Sequence, residues 1–462
     1  MPLLIRNGEI VTSDARYRAD IYAEDETITR IGKDLEAAPD TEIIDASGKL
    51  VFPGFVDPHV HIYLPFMATF AKDTHETASV AALIGGTTSY IEMCCPSRLD
   101  DALEGYHLWK SKAEGNSTCD YGFHMAVAKY TAETESQLRE IVRDGTSSFK
   151  IFLAYKNFFG IEDCELYRAL NLARKLGVIT TAHCENAELV AQLQQQLLAR
   201  GNTGPEWHEP SRPESVEALG THHFATFLEN TGASGYVVHL SCERALKAAL
   251  AAKERGVKLS IEAVTPHLVL DKSYAERPGI EGMKHVMSPP LRDKSNHRVL
   301  WNALNTGLID TVATDHCPFD IEQKLLGKNA FTEIPNGIAG IEDRVNLMFT
   351  YGVKRQKLDL HRFVDAASTR AAKIFGLFPR KGTIAVGSDA DLVVYDPTYH
   401  GTLSASAHHT NNDYNGYEGM EIEGRPAVVT VRGKVQVTDG KFVGERGRGR
   451  FLKREPNHFG NS

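Results

Sequence analysis

From residue 51 to residue 315 the sequence alternates short runs rich in β-branched and aromatic residues with longer segments of helical periodicity. Eight such runs stand out, at 51–57, 88–93, 122–128, 148–153, 178–183, 235–240, 259–264 and 309–315. Strands that alternate with helices are expected to lie parallel, because a parallel pair needs a long crossover connection. Eight of them predict an α/β fold, a (β/α)8 barrel of the TIM type. Helices are expected at 162–176, where Leu166, Leu170, Leu172 and Ala173 recur near helical spacing, and at 243–255, rich in Ala, Leu and Lys. The insertion from about 195 to 225 carries Gly204-Pro205 and Pro210-Ser211-Arg212-Pro213, so it is expected to start as loop and return to helix.

The ends of the chain read differently. Residues 1–50 carry short alternating runs broken by Gly, Asp and Asn, and the same texture returns at 390–395, 428–431 and 434–437. The two ends are expected to form one small β domain. A length of 462 residues accommodates a large domain beside a smaller one. The net charge of −9 would repel a phosphate backbone, so nucleic acid is not an expected partner. Seven scattered cysteines lack the spacing of a disulfide framework or a structural zinc site and read as reduced thiols. Asn7-Gly8 interrupts the first apolar stretch, where a signal peptide needs a longer core. No run approaches the roughly eighteen apolar residues of a membrane helix. The cytoplasm is therefore the expected compartment, with no membrane partner.

Chemistry gathers at the C-terminal ends of the expected strands. In Asp57-Pro58-His59-Val60-His61 the two imidazoles are two residues apart, so an extended backbone points them to one side. His183 and His239 terminate two further apolar runs, and Asp315 terminates another. Any one of these would pass for a hydrogen-bonded core residue. Together, at the end of a barrel where active sites form, they predict a two-metal site. Lys150 lies within the apolar run Ser148-Phe149-Lys150-Ile151-Phe152, where a free ammonium is expensive to bury. Alone it would suggest a salt bridge or a snorkelling stem. With its pKa lowered by burial and metals, its neutral amine can take up carbon dioxide and become a carbamate, an anionic bridge between two cations.

These residues resemble the metal site of the amidohydrolase superfamily. The resemblance extends to D-hydantoinases and dihydropyrimidinases through Phe52-Pro53-Gly54-Phe55-Val56-Asp57-Pro58-His59-Val60-His61, Ser148-Phe149-Lys150, Met287-Ser288-Pro289-Pro290-Leu291-Arg292, Thr314-Asp315-His316-Cys317-Pro318-Phe319, Pro335-Asn336-Gly337 and Gly387-Ser388-Asp389-Ala390-Asp391-Leu392. It covers essentially the full length. It implies a barrel at 51–375, a β-sandwich split between 1–50 and 376–440, and a tail at 441–462 that helps to hold a homotetramer. It also implies that His59, His61 and Asp315 hold one metal, that His183 and His239 hold the other, and that carboxylated Lys150 bridges them. Tyr155 matches a tyrosine that hydrogen-bonds the carbonyl under attack, and Ser288 and Asn336 match residues whose backbone groups grip a cyclic amide.

The activity so implied is hydrolysis of 5-substituted hydantoins or dihydropyrimidines to N-carbamoyl amino acids. A bridging hydroxide would attack, with Asp315 taking its proton and returning it to nitrogen. The metals would be zinc, with manganese, cobalt or nickel also suited to this ligand type. In dihydroorotases of the same superfamily the motif reads H-x-H-x-R, with an arginine for a substrate carboxylate. This chain has Tyr63 there, which points to an uncharged cyclic ureide or imide. The segments 63–70 and 152–159, with Leu64, Phe152 and Phe159, are expected to cover an apolar ring substituent. An allantoinase-like hydrolase is the nearest rival reading. A non-catalytic binding protein of the same fold is another, disfavoured because all six metal positions are present.

Overall fold

The structure, a computed structural model, describes residues 2–156 and 158–456. Asn157, within one of the expected covering segments, and 457–462, the end of the expected tail, lie outside the described residues. Eight parallel strands form one continuous sheet. They are β1 (Phe55–Val60), β2 (Thr87–Cys94), β3 (Asp120–Ala126), β4 (Ser148–Phe152), β5 (Ile179–His183), β6 (Gly235–Val237), β7 (Leu259–Val264) and β8 (Thr311–Ala313). They neighbour one another in sequence order. The first and last strands meet beyond β8, where His61 N donates to His316 O at 2.7 Å and Asp315 N donates to His59 O at 3.0 Å. These bonds close the sheet into the expected TIM-type barrel, and they run through three of the chemically important positions.

Helices pack outside the sheet as the apolar spacing requires. The helix Asp163–Leu176 buries Leu166, Ala169, Leu170, Leu172 and Ala173, and Gly177 ends it at φ 68°, a left-handed conformation that glycine adopts without steric cost. The helix Glu243–Glu254 occupies the other expected stretch. The insertion is more helical than expected. Helices at Ala187–Ala199, Pro205–Trp207, His208–Ser211 and Glu214–Thr231 leave only short connections. Its prolines had read as loop, yet Pro205 occupies a first-turn position and Pro213 an N-cap, where a missing N–H costs little.

The expected first strand, 51–57, is in fact two. Leu50–Pro53 pairs with Glu9–Val11 and Leu392–Thr402 in a sheet built from both ends of the chain, and only after Gly54 does the chain enter β1. A continuous apolar run carries no mark of a change of sheet. Gly54 permits the crossing, since a Cβ there would lie 2.1 Å from Thr88 Oγ1 and 2.9 Å from Asp391 Cβ. The seven-stranded sheet faces a four-stranded one made of Leu3–Arg6, Asp20–Glu24, Thr27–Gly32 and Glu42–Asp45. Ile5, Ile10, Ile21, Val51, Leu392 and Val394 join in the core between them. The tail packs along the barrel of its own chain. Leu452 N donates to Tyr121 O at 2.6 Å, and the buried Arg454 donates to Phe123 O and to Ser148 Oγ.

Candidate metal centre and active site

His59 lies inside β1 and His61 just beyond it, Lys150 is central in β4, His183 ends β5, and His239 and Asp315 follow β6 and β8. Five strands thus deliver six side chains to one end of the barrel. His59 Nε2 and His61 Nε2 lie 3.0 and 3.2 Å from Asp315 Oδ1. The three residues place ligand atoms within 4.8 Å of one another. Separately, His183 Nδ1 lies 3.0 Å from His239 Nε2. Asp315, His239 and Tyr155 have φ values of 52°, 40° and 59°, strain of about 1–3 kcal/mol each for residues with a Cβ. The closing bond from Asp315 N to His59 O, and one from His239 N to Glu262 Oε1 at 2.9 Å, hold two of these backbones in place.

Lys150 is wholly buried and, among the described residues, its Nζ meets no hydrogen-bond partner. Such a group costs several kcal/mol to bury. Burial lowers its pKa below the ordinary lysine range despite the pull of Asp315 and Glu262. Burial opposes ionisation of Asp315, but His59 and His61 outweigh it and hold the carboxyl well below its usual range. Burial likewise keeps His183 and His239 neutral, with lone pairs free to ligate. An ionised carboxylate, the uncharged imidazoles of His183 and His239 and a buried amine with a lowered pKa fit a pair of divalent cations. They do not fit a self-satisfied core.

The supporting groups were missed in the sequence. His59 Nδ1 donates to Glu262 Oε1 at 2.7 Å, which orients Nε2 toward Asp315. Glu262 Oε2 accepts from Tyr236 at 2.7 Å. His183 Nε2 donates to Glu185 Oε2 at 2.8 Å, and Arg212 reaches the same oxygen at 2.5 Å. Burial would raise the Glu185 carboxyl, yet Arg212 and His183 draw it down to about 2. Carboxylates behind ligating histidines fix the tautomer and raise basicity. The signals available were an acid inside the apolar run 259–264 and another two residues past His183. Glu262 in Leu259-Ser260-Ile261-Glu262-Ala263-Val264 reads by alternation as an outward residue, and nothing linked Arg212 to a histidine 29 positions earlier.

A small cavity of about 50 Å³ is lined by His61, Lys150, His183, His239 and Asp315, and also by Tyr155, Ser288, Asn336, Leu64, Phe152 and Phe159. His59 sits behind it. Asn336 Nδ2 donates to Ser288 Oγ at 3.1 Å and lies 3.5 Å from Tyr155 Oη. Burial raises the Tyr155 pKa against the opposing charge of Arg212, so the phenol remains a donor. The rings of Phe152 and Phe159 stack at 5.2 Å. Phe66 and Tyr155 also line an adjoining, mostly apolar cavity of about 810 Å³.

Tyr63 departs from expectation. Its ring leaves the site to pack on Phe70 and Trp109, at 5.6 and 4.9 Å, with Lys112 Nζ 4.0 Å above it. Position 63 is therefore not a wall of the metal cavity, and the case for an uncharged substrate passes to Leu64, Phe66, Phe152 and Phe159. His316 points away from the ligands, as alternation requires, and bonds Asp73 Oδ2 at 2.9 Å.

A closed parallel barrel with a histidine, aspartate and lysine set at its C-terminal end has the form of a barrel enzyme with a candidate metal site. The model of the Amidohydrolase family matches residues 50–436, and the chain belongs to that family. It is 43% identical to a D-hydantoinase of Geobacillus stearothermophilus over 98% of this chain and 97% of that protein. It is 39% identical to a dihydropyrimidinase of Rattus norvegicus, over 98% and 89%. A solved D-hydantoinase (dihydropyrimidinase) from Thermus sp. superposes with a TM-score of 0.98 at 75% identity, covering 99% of this chain and all of that one. These relatives place the chain among the family's cyclic amidases.

Proposed function

We propose that the protein opens the cyclic amide bond of 5-substituted hydantoins and dihydropyrimidines, releasing N-carbamoyl amino acids. The observation that carries the reading is Lys150, a buried amine without a hydrogen-bond partner among the described residues, lining one cavity with His61, His183, His239 and Asp315 beside the Tyr155, Ser288 and Asn336 cluster. The relatives' names, D-hydantoinase and dihydropyrimidinase, supply the substrate class.

In this reading His59, His61 and Asp315 would hold one divalent ion, His183 and His239 would hold a second, and a carboxylated Lys150 would serve both. Carboxylation joins the neutral Nζ to the carbon of carbon dioxide and releases one proton, leaving a carbamate whose single negative charge is shared by two oxygens. When bound, the ions lower the pKa of water to about 7 and polarise the carbonyl. The chain's own groups do the rest. Asp315 accepts the proton of the attacking water on its carboxylate and returns it to the leaving ring nitrogen. Tyr155 Oη donates to the carbonyl oxygen as negative charge develops there. The backbone at Ser288 and Asn336 binds the ring amide, while Leu64, Phe66, Phe152 and Phe159 exclude water and accept an apolar substituent. The same reading includes the four-segment domain division, with its first boundary moved from residue 50 to Gly54 because Leu50–Pro53 pairs in the terminal sheet and the others at 375 and 440, zinc as the resident metal, and a homotetramer to which the tail contributes.

Assay of metal-loaded and chelator-treated protein on a hydantoin, a dihydrouracil and allantoin tests the reading. Metal-dependent turnover of the first two supports it. Preference for allantoin would move the protein to the rival activity, and inert protein in both states would leave a binding role.

A further inference from the structure

Behind the loops that carry Ser288 and Asn336 lies a buried lysine that the reaction does not use. Lys324 is wholly buried, and its Nζ donates to Val286 O at 3.0 Å, Pro335 O at 2.7 Å and Gly337 O at 2.8 Å. An ammonium has three donors, and here all three are spent on backbone carbonyls of two separate loops. We propose that Lys324 is the positioning residue of the ring-binding site, clamping the 286–288 and 335–337 loops at the separation that a cyclic amide spans. The proposal rests on the cyclic-amidase reading.

The arrangement is specific in three respects. Pro335 and Gly337 flank Asn336, which lines the cavity, so a donor that gathers both of their carbonyls fixes the backbone on either side of Asn336. Val286 O, the third acceptor, also accepts from Gly337 N at 2.9 Å, so one atom joins both loops to the ammonium. Finally, Gly337 is pressed against the segment that follows Asp315, where a Cβ would lie 2.3 Å from Cys317 O. Clamp, ring-binding loop and the Asp315 segment are therefore in direct contact.

Lys324 is itself held firmly. It ends the short helix Ile321–Lys324, whose cap is reciprocal, with Gln323 N donating to Asp320 Oδ1 and Asp320 N donating to the Gln323 side chain, both at 2.9 Å. Its Nζ lies 5.7 Å over the Phe319 ring. Burial draws its pKa down to about 7, against the opposing pull of Cys317. An uncapped buried ammonium would have no reason to survive here; one that organises two loops does.

The test compares Lys324→Met, which removes all three donors, with Lys324→Gln, which retains two. Loss of a charged hydrogen-bonded clamp is expected to raise KM for a hydantoin about tenfold or more in the methionine variant, with a smaller rise for glutamine. In both, kcat and metal content should stay near those of the parent protein. Hydrogen exchange, which needs no substrate, should quicken at 286–291 and 335–338 while strands β1 to β8 keep their protection. Unchanged KM and unchanged exchange in those loops would overturn the proposal. So would a parallel fall of kcat, metal content and protection throughout the barrel, which marks a general structural role. Inactivity of the parent on every cyclic amide, with loosened loops in the variants, would instead refute the cyclic-amidase reading and retain the clamp.

Discussion

At the scale of single residues, the account turns on groups whose ordinary chemistry burial has altered. Lys150 was legible in the sequence because an ammonium inside an apolar run demands an explanation. Its neighbours His59, His61, His183, His239 and Asp315 were legible because they follow strands. Glu262 and Glu185 were not, since a partner across the barrel has no fixed sequence separation. The course of the Tyr63 ring, onto Phe70 and Trp109, was not legible, because backbone extension does not persist beyond His61. Two predictions belong here. Tyr155→Phe removes one donor to the developing oxyanion and is expected to lower kcat about 10²–10³-fold with metal content unchanged; near-normal turnover would remove Tyr155 from the reaction. Glu262→Gln weakens the acceptor behind His59 and should reduce metal affinity about 10–100-fold. A chelator competition that finds parent-like affinity would contradict that role.

At the scale of elements, the decisive feature is the seam between β1 and β8. Arg344 lies wholly buried across it, donating to Val56 O at 3.0 Å and Val312 O at 2.8 Å, with Thr87 Oγ1 at 3.0 Å. Its Nε is 3.8 Å from Asp57 Oδ2, and Asp57 in turn accepts from Thr314 Oγ1 at 2.7 Å. The seam thus holds in register the two strands that carry His59, His61 and Asp315. Arg344→Met would leave Asp57 buried without its charge partner and is expected to cost about 3–5 kcal/mol of stability. Thermal unfolding measures this directly, and an unshifted midpoint would show the seam does not depend on Arg344. The strand pattern was legible because both faces of a parallel strand are buried. The change of sheet at Gly54 was not, because the apolar run passes through it without a break.

At the scale of the whole molecule, the two ends of the chain are tied to the barrel at the end opposite the active site. Lys381 Nζ donates to Asp120 Oδ2 at 2.6 Å, where β3 begins, and to Asp391 Oδ2 at 2.7 Å beside the terminal sheet, with Asp389 at 2.9 Å. These three aspartates have ligand atoms close enough together to suggest a cation site. The ammonium of Lys381 already fills that place. From the tail, Arg450 N donates to Asp120 Oδ1 at 2.9 Å. Lys381→Met would remove the cation shared by the buried Asp120 and Asp391 and the half-buried Asp389, and is expected to destabilise the protein by about 3–5 kcal/mol. Because this cluster is remote from the ligands, metal affinity should not change; a loss of metal at temperatures below unfolding would contradict the separation of the two ends. Among the described residues no helix is long and apolar enough to cross a membrane. The small β domain was legible from texture at both ends, but the tail's course along the barrel was not, since Gly- and Arg-rich segments carry no periodic pattern.

The most direct test of the central claim is a crystal structure of the protein as isolated, with anomalous data collected for the bound metal. The account predicts planar density for a carboxyl group on Lys150 Nζ, flanked by one anomalous peak at His59, His61 and Asp315 and another at His183 and His239. An unmodified lysine, with no anomalous peak at either ligand group, would contradict it.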